Sequence, residues 1–192
     1  MKNKKWGVVN SEDPIYVVLF VSRTKDNKHL SDFTERRKSF ITQKSVEELD
    51  KDFDAFVRAG RPDEFCRFYY SVNARDAGTI RKKLLHFLID EDDFNLCALP
   101  SKIAGLAAQK DAALEKKWMI DFDAPDVDKV VEFIDYVHNK DATITSTFRC
   151  TPNGYAIILS HGFDVRDFDE KWGDIATVKK DDLLCVDWRE TE

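Results

Sequence analysis

The chain has 192 residues, 43% hydrophobic and 34% charged, with a formal charge of −6. This is the balance of a globular chain long enough for one sizeable core, not of a disordered one. The acidic total argues against a protein that coats nucleic acid with its whole surface, but leaves room for a local basic groove.

Seven glycines and five prolines leave little material for a long flexible linker. The four cysteines, Cys66, Cys97, Cys150 and Cys185, form no C-x-x-C pair and no zinc spacing. They read as reduced, mostly buried thiols of a cytoplasmic protein. No apolar run approaches the length of a membrane span, so no membrane association is expected.

Residues 1–14 read as a polar, poorly ordered lead-in, basic at its start but without a signal-peptide core. Residues 15–22 (IYVVLFVS) form a β-prone apolar run that predicts a core strand. Residues 23–44 are polar and basic. Their cluster Arg36-Arg37-Lys38 reads either as a solvated helix face or as phosphate contacts. With Arg23 and Lys25 it supplies the candidate patch for DNA or RNA. Residues 45–59 predict a helix opened by a Ser45/Glu48 capping box and ended by Gly60 and Pro62.

Residues 66–72 (CRFYYSV) predict a second strand. A polar turn follows, and Asp76 caps a helix over 77–89 with Ile80, Leu84, Phe87 and Leu88 on one stripe. This unit brings Ser71, Asn73 and Arg75 near a helix N-terminus, where anions bind readily. Residues 90–95 are an acidic loop, and the Ala-rich stretch 102–115 predicts a further helix.

Residues 117–126 (KWMIDFDAPD) are the centre of the pattern. Alternation puts Trp118, Ile120 and Phe122 on one face of a strand and Met119, Asp121 and Asp123 on the other. Residues two apart on a strand lie roughly 7 Å apart, close enough to share a divalent ion or a pair of ions. Mg²⁺ and Mn²⁺ want such oxygen ligands and share them with phosphate. The alternative is a strand end with solvated acids. Asp126 then caps a helix whose apolar positions are Val127, Val130, Val131, Ile134 and Val137. Residues 142–150 and 155–160 predict a hairpin turning at Thr151-Pro152-Asn153-Gly154. A short helix is expected within 165–172. Residues 183–188 (LLCVDW) predict a last strand, with Asp187 inside an apolar run.

The order predicts an α+β fold: a ferredoxin-like or RNA-recognition-like palm sheet over 66–192 with helices on one face. Residues 1–65 are expected as an N-terminal α/β extension packed on it in one compact unit.

Three features then align: the Asp121/Asp123 strand, Thr151 and Gly154 in the hairpin, and the single Asp187. This order resembles the palm of the archaeo-eukaryotic primase, or primase-polymerase, superfamily. The resemblance implies a metal-dependent nucleotidyltransferase that binds a nucleoside triphosphate. Asp121, Asp123 and Asp187 would hold Mg²⁺ or Mn²⁺. Lys117, Arg149, Asn153 and the strand end reaching Arg75 would be the nearest candidates for the nucleotide. The family's second motif places a histidine two residues after Gly154, where this chain has Ala156. Three readings stay open: an inactive homologue, an engineered substitution, or service by His161. A non-catalytic module binding a partner or nucleic acid, and a metal-dependent phosphodiesterase, are the alternatives. No P-loop, H-E-x-x-H or G-x-S-x-G motif is present.

Overall fold

The computed structural model describes residues 14–192. All but the last residue of the expected lead-in lies outside the described residues.

β1 (Tyr16–Ser22) is the apolar run expected at the start. It pairs antiparallel with β2 (Arg36–Thr42) from end to end. The Arg36-Arg37-Lys38 cluster therefore lies on an edge strand, not on a helix. Edge strands tolerate charge on the side open to water, which hides them from an alternation test. A 3₁₀ turn at Glu47–Leu49 leads into α1 (Asp50–Arg58). The capping box forms as expected: the Ser45 N–H donates to Glu48 at 2.8 Å and the Glu48 N–H donates to Ser45 Oγ at 3.3 Å.

β3 (Phe65–Ser71) is followed by α2 (Ala77–Asp90), capped by Asp76 accepting from the Thr79 N–H at 2.6 Å. α3 spans Leu99–Ala107 and ends short of the expected stretch, in a 3₁₀ turn at Lys110–Ala112. β4 (Trp118–Phe122), α4 (Val127–Lys140), β5 (Ser146–Thr151), β6 (Gly154–Leu159) and α5 (Phe168–Trp172) follow the expected order. β7 (Ala176–Lys180), a short edge strand absent from the sequence reading, precedes β8 (Leu183–Glu190).

The fold is mixed α+β with two antiparallel sheets of four strands, ordered β2-β1-β3-β8 and β5-β6-β4-β7. β3 and β8 thus belong with β1 and β2, and the sequence-based division at residue 66 falls inside β3. α4 and α5 cover one face of the second sheet around Ile120, Phe122, Phe133, Leu159 and Trp172. α1 covers one face of the first sheet through Phe20, Phe53 and Phe68. α2 and α3 cover part of its other face through Val17, Ile80 and Ala107.

The chain crosses between sheets twice, once after β3 and once at the β7–β8 turn. One polar knot holds both crossings. Arg75, almost fully buried, donates Nη1 and Nη2 to Asp181 at 2.7 and 2.9 Å. Asn73 donates to Asp181 and to the Lys117 carbonyl, each at 3.0 Å, and accepts the Lys117 N–H at 3.0 Å. Removing one partner of a buried ion pair strands the other charge and costs about 3–5 kcal/mol. Asp181→Ala is expected to lower the unfolding free energy in urea by about 3 kcal/mol, while Arg75→Met with Asp181→Leu recovers most of the loss.

Candidate functional site

β4 carries its apolar residues toward α4 and α5, so Met119 and Asp121 must point the other way, at the first sheet. Asp121 sits between Ala156 of β6 and Thr177 of β7 in the register. Asp123 follows the strand, its backbone N–H donating to the Ile175 carbonyl at 2.7 Å. Gly154 makes the return into β6 possible: a Cβ there would lie 2.2 Å from the Phe122 carbonyl oxygen. The sequence thus sets the hairpin tip directly against the strand that carries the acids.

Facing the carboxylates across a cavity of about 190 Å³ are Arg23, Lys25, Arg67, Tyr69 and Cys185. Thr151, Asn153 and Ala156 line the same cavity from the hairpin side. Arg67 and Tyr69 share a face of β3 by alternation, and Tyr69 lies opposite Cys185 in β8. Sequence reading missed Arg67 and Tyr69. The available signal was an arginine alternating with an aromatic residue inside an apolar strand.

The two carboxylates have no hydrogen bond or ion pair through their side chains among the described residues. Burial, and then the neighbouring Asp123 charge, pushes the Asp121 carboxyl above its ordinary value. The arginines are engaged elsewhere. Arg23 Nε and Arg67 Nη2 each donate to Asp26 at 2.7 Å. Burial alone would raise the Asp26 carboxyl, but the Arg23 hydrogen bond and the Arg67 charge outweigh it and hold the carboxyl below its usual range.

Among the described residues no cluster of three or more His, Cys, Asp or Glu side chains is placed to hold a metal. Asp121 and Asp123 alone nonetheless fit Mg²⁺ or Mn²⁺. Such ions keep several waters and are commonly held by one or two carboxylates together with substrate phosphates. An ion would also relieve the repulsion within the pair.

The other sequence-derived candidates lie elsewhere. Asp187 pairs in register with Phe68, and a bulge between Phe68 and Tyr69 breaks the alternation of β8. Phe68 belongs to the core under α1, so Asp187 turns to that side and accepts from Arg189 at 2.7 Å. Cys185 stays in the cavity. The structure therefore does not bring Asp187 to the acidic pair. Lys117 and Arg149 line a separate groove of about 590 Å³ with Tyr16 and Tyr70. Arg149 Nη2 donates to the Val186 carbonyl at 2.7 Å, capping the outer edge of β8. Arg75 is locked to Asp181. His161 lies 3.2 Å from Asp141, beside the start of β5. Arg36 is tied to Glu64 at 2.6 Å, while Arg37 and Lys38 are exposed.

Cys66 and Cys185 are buried, whereas Cys97 and Cys150 are exposed, so burial accounts for only half of the thiols. No helix among the described residues is long and apolar enough to cross a membrane. No family model matches the chain, and neither a curated protein nor a solved structure matches it.

A carboxyl raised on folding costs no stability while it is protonated in both states. The cost enters as pH rises through its folded value and persists above it. Asp121→Asn is therefore expected to melt higher than the native chain at neutral pH without divalent ions, with the gap closing as pH falls below the ordinary carboxylate range. Gly154→Ala, in contrast, is expected to melt lower at every pH, because the Phe122 carbonyl must move.

Proposed function

We propose that this chain binds a nucleoside triphosphate with a divalent cation, as a nucleotidyltransferase of primase-polymerase type. The observation that carries the reading is the pair Asp121 and Asp123, unpartnered and set opposite basic side chains across one small cavity. A surface that offers negative charge on one wall and positive charge on the other suits a ligand that is itself a cation joined to an anion. The connectivity β4-α4-β5-β6-α5-β7, with its order β5-β6-β4-β7, is that of a ferredoxin-like sheet, and it supports the same reading.

In this reading Asp121 and Asp123 hold the ion, and Lys25 with the arginine wall faces the phosphates. A bound divalent ion would polarise a phosphoryl oxygen and neutralise charge on the leaving group. Thr151 and Asn153 border the ligand from the hairpin. The volume of about 190 Å³ is below the usual range of whole-ligand pockets, so the cavity takes the phosphate end and leaves the nucleoside outside. Arg37 and Lys38 on β2 are the exposed charges left for DNA or RNA.

A second reading is a binding module on the same fold that carries out no chemistry. Ala156 favours it, because the methyl group opposite Asp121 leaves no titratable side chain where the resemblance puts a histidine. Asp187, turned toward α1, favours it as well.

Calorimetric titration of a nucleoside triphosphate with Mn²⁺ tests the proposal on the native chain, Asp121→Asn and Ala156→His. Triphosphate binding that the metal strengthens only while Asp121 is present is expected, and tighter binding or turnover in Ala156→His would identify what position 156 withholds. Triphosphate binding that is indifferent to metal and to Asp121→Asn would overturn the metal site. For nucleic acid, Arg37→Ala with Lys38→Ala is expected to flatten the dependence of log K on log salt by about 0.7 per lost contact for a single strand. An unchanged slope would remove β2 from the interface.

A further inference from the structure

The arginine wall has donors that nothing in the protein uses. Arg67 is only 7% exposed, yet its Nε has no hydrogen-bond partner among the described residues. Arg23 Nη2 is equally enclosed and equally unpartnered. Buried donors without partners are rare, and each is costly unless something satisfies it. Both side chains line the cavity. Tyr69 lies on the same wall, and the Arg23 guanidinium lies 6.0 Å from its ring.

Asp26 explains why the wall is rigid but still cationic. One carboxylate takes one N–H from each arginine, which fixes both guanidinium planes. Two positive charges against one negative leave the trio at +1 beneath the cavity. Neither arginine is ion-paired with Asp121 or Asp123, so space remains between the walls.

We infer that Arg23 and Arg67, held by Asp26, form a seat for a polyphosphate oxyanion that binds without any divalent ion. The inference rests on the same cavity as the proposed function and deepens it by naming the protein groups that grip the phosphates. The ligand is recognised by its chain of phosphate oxygens, whether as inorganic diphosphate or as the tail of a nucleotide. Guanidinium donors spread around the site match several oxygens at once, which a single lysine cannot do. Asp26 is a positioning residue.

The seat and the metal pair respond in opposite directions to one substitution. Without metal, Asp121 and Asp123 repel an incoming anion. Removing the Asp121 charge then helps the anion, whereas it harms binding that depends on metal.

The test is calorimetric titration of inorganic diphosphate, and separately of a nucleoside triphosphate, in excess EDTA. It uses the full chain, Arg67→Met, Arg23→Met, Asp121→Asn and the surface control Arg81→Ala on α2, with a circular-dichroism melt of each. The native chain is expected to bind both ligands saturably. Arg67→Met and Arg23→Met are each expected to weaken both by about 10-fold or more, the scale of one charge-assisted hydrogen bond. Asp121→Asn is expected to bind at least as tightly as the native chain, and Arg81→Ala equally. If Arg67→Met fails to fold, the more exposed Arg23→Met decides. No saturable binding by the native chain would overturn the seat. So would a loss in Arg81→Ala as large as that in the folded arginine variants, or a loss in Asp121→Asn. Binding of triphosphate alone, without diphosphate, would also overturn it, because the nucleoside would then be the anchor. If diphosphate behaves as expected but Mn²⁺-dependent binding ignores Asp121, the metal reading fails while the seat stands.

Discussion

The bidentate pair between Arg75 and Asp181 is the constraint on which the two-sheet arrangement depends. Each sheet has its own apolar core, under α1 for the first and under α4 and α5 for the second. Hydrophobic burial within those cores does not fix how one sheet faces the other. That is done at the crossings. Asn73 imitates a strand partner for Lys117 just before β4, and Arg75 clamps the β7–β8 turn that leads back. A buried guanidinium is tolerable only while its carboxylate is in place, so the junction is specific as well as costly to disturb.

Once the junction is set, the free edge of β8 lies against the inner face of the second sheet. Arg149 caps that edge at the Val186 carbonyl and so also blunts it against pairing with another chain. The edge divides the space between the sheets. On one side Tyr16, Tyr70, Lys117 and Arg149 line the wider groove. On the other, the acidic end of β4 faces Arg23, just past β1, and Arg67 of β3. The charged groups gather there because the apolar faces of both sheets are already used by helices. What remains for the facing surfaces is the alternate, polar set of residues.

Much of this was legible from local chemistry. Alternation in β4 foretold which way Asp121 faces, the Ser45/Glu48 box and Asp76 and Asp126 marked helix starts, and Asn153-Gly154 marked the hairpin. β2 and β7 were not legible, because charged edge strands lack the apolar alternation that betrays a strand. Asp187, which the resemblance groups with Asp121 and Asp123, lies apart from them for a different reason. The period of two holds only without a bulge, and the one opposite Phe68 and Tyr69 is set by pairing with β3, some 120 residues away in sequence. The opposite wall of the cavity was hidden by the same limit. Arg67 and Tyr69 sit in an aromatic strand, and nothing local to them says that β4 will face it.

The most direct measurement is an electron paramagnetic resonance titration of Mn²⁺ with a nucleoside triphosphate present, on the native chain and on Asp121→Asn with Asp123→Asn. Mn²⁺ held by the native chain and released by the double variant is the expected result. Mn²⁺ bound equally by both, or by neither beyond what the free nucleotide holds, would contradict a metal site at the end of β4.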